Sequence, residues 1–509
     1  MRRKRMRHYR RKPMQLLTAF LAIAFMYFLP GQGILARAEE ADAGGTREDA
    51  KTIELGKTYS ESTSSGEDED FFKFTATEHG YFQVNLEQNA ADASGVGNGW
   101  QIKVLDQQGN EIISDSYVKN SWTSVVIPYA EPGRVLYVQV APQDSNVAPV
   151  GCIYDLTVKQ IGSSDWELET NGTRAEANAI ETDKAYHGIT LTPNDVDVFR
   201  FKTSVKGYFQ VQFGQNAADG NYTANGWEIN VLDEQGEVIT AGQYITKNWV
   251  SMILPYAQAG RTFYMQVMPQ NSNTPPFQCM YDLTVKQTSA ADWESEPNGT
   301  MKTATAIKSG KTYNGNTDTS SDEDFYKLNV PASGKVRVLF SSHNSNPSDS
   351  VGRGWDILVY DKKSNEVART QEIGTAGSVA FDVKKGTYYI KIEPSSVWSA
   401  PEGCRYALWA DYAKTPSTPK VSSVKAGKKS AVVKWKKVSG ASGYYVYRST
   451  SKKSGFKKVQ TLKKASALSW KDKKLKSGRK YYYKVAAYKK IEGITVVSPY
   501  SAVKSVKVK

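Results

Sequence analysis

Cysteine is nearly missing from this chain: 509 residues contain three, at Cys152, Cys279 and Cys404. A disulfide framework is therefore excluded, and each folded unit must be held by its own core. Histidine is almost as scarce, with four residues. None of His79, His187 and His343 stands in a nucleophile or zinc-ligand arrangement, so the expectation is a protein that is not an enzyme. Long helical periodicity is absent as well. Beyond the N-terminal region no apolar run reaches the ~18 residues that a bilayer span requires. These absences point to an all-β protein with no transmembrane segment once a leader is removed.

What the chain has in place of these is repetition. Tyr59, Tyr186 and Tyr313 are 127 residues apart, and so are Asp70, Asp197 and Asp324. A period of this length is a whole domain, because solenoid repeats run to roughly 20–50 residues. Gly-Trp recurs at Trp100, Trp227 and Trp355, and a closing strand recurs from Tyr154, Tyr281 and Tyr406. The segments between are short alternating runs such as Tyr81-Phe-Gln-Val-Asn-Leu86, separated by Gly, Asn, Asp and Pro turns. The fold class expected is all-β, with three tandem jelly-roll-like β-sandwiches at residues 39–162, 163–289 and 290–413. The repeated tryptophans are expected to be core anchors. The cysteines occur once per copy, so none can pair within its own domain, and three free thiols are expected.

Residues 1–38 have the form of an export leader: a basic stretch from Arg2 to Lys12, an apolar run from Leu16 to Leu29, and Ala36-Arg37-Ala38 as a cleavage site. The mature chain is expected to begin near Glu39 and to be secreted or associated with the cell surface. Charge divides the remainder. Residues 416–509 carry 26 Lys and Arg against two acids, whereas residues 39–415 carry 31 basic residues against 50 acidic ones. An acidic body thus bears a strongly basic end, which bears on partners rather than on fold.

Two resemblances follow from the motifs. Glu294-Ser-Glu-Pro-Asn-Gly-Thr300, the Asp322-Glu-Asp324-Phe-Tyr strand entry and Gly386-Thr-Tyr-Tyr-Ile-Lys-Ile392 resemble the bacterial pre-peptidase C-terminal domain and its relative, the collagen-binding domain of clostridial collagenases. Glu167-Leu-Glu-Thr-Asn-Gly-Thr173 and Asp195-Val-Asp197 match in the second copy. After the linker Thr415-Pro-Ser-Thr-Pro419, residues 416–509 resemble an immunoglobulin-like fibronectin type III sandwich. There Trp435 would fill the core and Tyr481 would be the corner tyrosine.

The acidic motifs are candidate cation ligands. Alternate side chains of an extended segment share a face, so Glu294, Glu296 and Asn298 point one way, as do Asp322 and Asp324. Glu167, Glu169, Asn171, Asp195 and Asp197 repeat the set. Together each set offers five oxygen-bearing groups, and calcium takes about six to eight oxygens, the rest coming from carbonyls or water. The resemblance to collagen-binding domains implies calcium here. Those relatives follow the Asn with an aspartate, where this chain has Gly172 and Gly299. The plainer alternative is a solvated acidic linker. Copy one keeps Glu40, Asp42, Asp68 and Asp70 but has Gly44 in place of the Asn, so its site is expected to be weak or empty.

Trp122 and Trp249 are candidate ligand platforms, because the third copy has Ala376 at their aligned position; the alternative is an ordinary half-buried strand residue. Expected partners are an anionic cell-wall polymer or polysaccharide and, secondarily, an extracellular matrix protein, with no nucleic acid. The function expected is an exported, non-catalytic adhesion or binding protein. Its rival is an accessory or substrate-targeting subunit of a separate secreted hydrolase.

Overall fold

The computed structural model describes residues 44–92, 95–216, 226–270, 276, 278–343, 353–399, 403–491 and 493–509. The leader, Glu40 and Asp42 lie outside the described residues. Among these residues there are strands and two short 3-10 turns but no α-helix. Among the described residues no helix is long and apolar enough to cross a membrane.

The second repeat shows the plan. One sheet runs Asn178–Ala179, Asp197–Lys202, Thr262–Pro269, Trp227–Leu232 and Val238–Ile245. The facing sheet runs Ala185–Thr190, Cys279–Ser289, Gly207–Gln215 and Asn248–Val250, with Leu254–Ala257 also paired to Gly207–Gln215. Pairing is antiparallel apart from the short parallel contact between Asn178 and Phe199. Period-two alternation decides the layers: Phe209, Val211 and Phe213 face inward while Gln210 and Gln212 face out. Each such buried side chain contributes roughly 1.5–3 kcal/mol.

Repeats one and three copy this plan. Trp100, Trp227 and Trp355 are buried, and their indole N–H groups donate to Thr63, Thr190 and Thr317 Oγ1 at 2.9, 2.7 and 2.7 Å. They are core anchors whose polar edge is satisfied by a threonine repeated with the same period. All three cysteines are buried.

The repeats are packed against one another. Ile189 and Leu191 of the second belong to the core cluster of the first. Trp166, in the connecting segment, lies 5.2 Å from Tyr81 and 5.5 Å from His187, and Trp293 repeats the contact 5.0 Å from Tyr208. The last domain pairs a three-stranded sheet, Val421–Gly427, Ser430–Trp435 and Ser469–Lys473, with a sheet built on Gly443–Ser449 and Lys480–Ile491. Trp435 is buried in it, and the Tyr481 hydroxyl accepts from the Lys476 N–H at 3.1 Å across the turn. Ala413, Ile494 and Val496 join this domain to the third repeat.

One aligned position is corrected. Leu86 pairs with Trp122, Phe213 with Trp249 and Phe340 with Gly377, so the third-repeat counterpart is Gly377 and not Ala376. The third repeat has one more residue before Trp355, which shifts the alignment. A Cβ at Gly377 would come within 2.7 Å of the Ile373 side chain, so a larger residue fits there only if that isoleucine moves.

Candidate metal centre

The connecting segment before repeat two is drawn onto that repeat as an extra bridge. Trp166 bridges His187, and the Glu167 N–H donates to His187 O at 2.9 Å. This turns Glu167 inward, where its Oε1 accepts from the Ile189 N–H at 2.6 Å and its Oε2 from Tyr281 OH at 3.0 Å. Tyr281 OH also lies 2.6 Å from Asp197 Oδ2. Asn171 donates to Glu167 Oε2 at 3.3 Å and to Asn178 Oδ1 at 3.2 Å, and its own carbonyl oxygen has no hydrogen-bond partner.

Glu167, Glu169 and Asp197 each place a carboxylate oxygen within 4.8 Å of the others. All three, with Asn171, are buried. Glu169 Oε1, Asn171 Oδ1 and Asp197 Oδ1 have no hydrogen-bond partner. Buried oxygens of this kind are costly to leave unmatched, and the carboxylates among them stand close enough together to hold a cation. Asp195 stands on the rim, where its Oδ2 holds the Leu191 N–H at 2.7 Å and its charge acts on the other carboxylates.

The junction before repeat three has the same construction. Glu294, Glu296 and Asp324 cluster within 4.8 Å. Glu294 is held by the Asn316 N–H at 2.8 Å, Tyr326 OH at 2.6 Å and Tyr406 OH at 3.1 Å, and Tyr406 OH also lies 2.5 Å from Asp324 Oδ2. Glu296 Oε1, Asn298 Oδ1 and Asp324 Oδ1 have no partner. Asp322 sits on the rim, bonded to the Asp318 N–H at 2.6 Å. The donors are hard oxygens, which suits calcium rather than a soft metal.

Burial lifts the carboxyls: Glu167 to about 8, Glu294 to about 7 and Asp322 to about 6. Glu169, Asp197, Glu296 and Asp324 are raised well above the carboxylate range by burial and then by their acidic neighbours. Without a cation, such a cluster holds protons.

Several participants were not singled out from the sequence. Asp318 adds a carboxyl to the third-repeat site, where the aligned residue of repeat two is Leu191. The preceding repeat also closes each site. Glu169 N–H donates to Pro128 O at 2.8 Å, and Glu296 N–H to Pro255 O at 3.1 Å. Arg134 donates to the Glu169 carbonyl, and Arg261 to the Glu296 carbonyl at 2.6 Å. Burial, with Glu169 and Asp195 beside Tyr129 and Asp318 and Glu296 beside Tyr256, raises both phenols. The signal was present: Pro-Tyr and Arg recur 127 residues apart in repeats one and two. Repeat three, which no further repeat follows, has Gly386 where Arg261 stands.

Trp122 and Trp249 are half-buried and pack at the edges of their repeat cores. The Trp249 ring covers Gly242, and a groove of 350 Å³ lies beside it, lined by Gln212, Phe213, Asn248, Asp282 and Thr284.

No family model and no curated protein matches the chain. Solved structures match it over part of its length. It is similar to the pre-peptidase C-terminal domain of a Bacillus anthracis collagenase at 19% identity, over 21% of this chain and 94% of that one, with a TM-score of 0.17. It is similar to an Fn3-like protein from Clostridium thermocellum at 23% identity, over 17% and 86%, with a TM-score of 0.14. The chain is a multidomain β-sandwich protein with two acidic clusters able to hold a metal ion.

Proposed function

We propose that this is an exported, non-catalytic binding protein whose three acidic sandwiches are locked into a stiff body by divalent cations, calcium being the best fit. In this reading Glu167, Glu169, Asn171 and Asp197 hold one ion, and Glu294, Glu296, Asn298 and Asp324 hold the other. Asp195, Asp322 and Asp318 complete the rims. The observation that carries it is a pair of three-carboxylate clusters, each within 4.8 Å, together with six buried oxygens, three per junction, that have no hydrogen-bond partner. Each site is tied both to the repeat that follows and, through Arg134 or Arg261, to the one before, so an ion there stiffens the junction.

The basic last domain is the attachment end, suited to an anionic envelope polymer. Its support is charge and surface chemistry. One of its two acids, Asp472, is buried against Arg448, at 3.0 Å. Lysines lie among the outward tyrosines, with Lys458 4.6 Å from the Tyr445 ring and Lys484 3.5 Å from the Tyr500 ring. Calorimetric titration of the chelated full chain with calcium tests the first part: uptake of two ions with a rise in melting temperature is expected, and no uptake would discard it. Retention on purified cell walls that is lost steeply with salt tests the second, since exposed charges are screened over about 8 Å at physiological ionic strength.

A further inference from the structure

Tyr117 and Tyr244 occupy one position of successive repeats, directly before Val118 and Ile245, which pair with Trp100 and Trp227. Both lie in β-bulges, marked by register shifts between Trp100 and Ile102 and between Trp227 and Ile229. Both have left-handed backbones, at φ 60° and 56°. Both are highly exposed, at 62% and 63%. Their N–H groups are fixed by the side-chain oxygens of Gln143 and Gln270, each at 3.2 Å.

A bulky residue is strained in that backbone region, which glycine adopts freely. An exposed ring contributes little packing in return. The pair of rings is therefore unexplained by folding, and strained outliers of this kind mark functional positions.

The third repeat has Glu372 in the same bulge, at φ 53°, with its N–H on Asp356 Oδ1 at 2.9 Å. Asp356 also accepts from Ser395, at the start of the loop that carries the short turn Val397–Ser399. That turn presents Trp398, 95% exposed. It corresponds to the turn Ser145–Val147, which follows Gln143 in repeat one. Where the bulge lost its ring, the adjoining loop supplies one.

We propose that Tyr117, Tyr244 and Trp398 form one aromatic platform per repeat for a neutral polysaccharide, whose sugar C–H faces stack on the rings. The period argues for the polymer: single rings spaced by a whole domain are engaged together only by a ligand that itself repeats. The charge argues for neutrality, because residues 39–415 carry 50 acids against 31 basic residues and repel a polyanion. The platform is distinct from the metal sites and from the lysine-rich attachment end.

The test uses the full chain with calcium present, in 1 M salt to suppress attachment by the basic domain, where the screening length is ~3 Å. Depletion isotherms are measured on insoluble cellulose, mannan, chitin and β-1,3-glucan. At least one should retain the protein. Tyr117→Ala, Tyr244→Ala and Trp398→Ala should each weaken retention severalfold, and the triple variant on the order of 100-fold, as expected when linked sites are lost. Tyr117→Gly should weaken retention as Tyr117→Ala does while raising the melting temperature, because it relieves the backbone; a packing role would lower it. Failure of all four glycans to retain the protein, or undiminished retention of the triple variant, overturns the proposal, as does a lowered melting temperature for Tyr117→Gly. Wall attachment at low salt and calcium-dependent melting are read separately, so this failure is distinguishable from failure of the function proposed above.

Discussion

Repeat one and the two repeats that follow it share a backbone but solve the same electrostatic problem in opposite ways. The register is unambiguous: Lys51 pairs with Phe72 where Asn178 pairs with Phe199, and Glu61 pairs with Tyr154 where Gly188 pairs with Tyr281 and Gly315 with Tyr406. The Phe71 N–H meets the Gly44 carbonyl where Val198 meets that of Asn171 and Phe325 that of Asn298. In repeats two and three, Gly188 and Gly315 leave room for the tyrosine hydroxyl to reach Glu167 or Glu294. A Cβ there would come within 2.3 or 2.6 Å of that hydroxyl. In repeat one, Glu61 stands on the strand instead, 2.5 Å from the Lys51 ammonium, with both side chains largely buried. Repeat one carries a cation of its own making beside Glu61, whereas each of the other two clusters three buried carboxylates within 4.8 Å. The same scaffold can thus be balanced by a side chain or by an ion.

The comparison is broken hardest by Lys51→Met. Removing one partner of a buried pair leaves an unmatched carboxylate and should cost about 3 kcal/mol, a loss that chelator neither deepens nor relieves. A denaturant melt of wild type and variant, with and without chelator, measures it, and a cost below the level of a surface ion pair would deny the pair its role. Next in size is the ion. At a hundredfold excess over its dissociation constant, each bound calcium should stabilise by about 2.7 kcal/mol. Glu296→Ala with Asp324→Ala should reduce the ion count from two to one.

The third prediction concerns pH. In chelator, Glu167, Glu294 and Asp322 have folded pKa values of about 8, 7 and 6, raised chiefly by burial. The native state therefore holds more protons than the unfolded chain above about pH 4, and its stability falls as pH rises through those values. Chelated protein should melt highest near pH 5 and lower at pH 8. Calcium should bind more tightly as pH rises, because its ligands lose their protons. A flat chelated profile between those pH values would falsify the buried-proton account. The smallest effect is expected from Arg261→Ala, which removes the strap to the Glu296 carbonyl. It should cost about 1 kcal/mol and loosen the repeat two to repeat three junction in small-angle scattering, whereas repeat three, with Gly386 at that place, has no such strap to lose.

Much of the arrangement was legible from residue order. Glu167 and Glu169, like Glu294 and Glu296, share a face because alternation on an extended strand is local, and each pair lies within 4.8 Å of the second aspartate of its motif. The first aspartates, Asp195 and Asp322, were expected as ligands and stand on the rim, because each is turned to hold its own loop N–H. The Pro-Tyr-Arg elements are not legible as parts of the sites because they reach them across a domain boundary, and neither is Asp318, because repeat two has Leu191 at that position. The extra residue before Trp355 displaced the tryptophan comparison by one.

By itself, then, the amino-acid order determined the β character of the chain, its buried core positions and the acidic composition of the junctions, since all of these follow from short-range pattern and repetition. Only the tertiary structure decided which oxygens are left without a proton donor, which strand carries the lysine that answers them in repeat one, and which rings stand in solvent on strained backbone. Those properties depend on sheet register and on the approach of segments far apart in the chain, and a one-residue difference in either reverses the face on which a side chain lies.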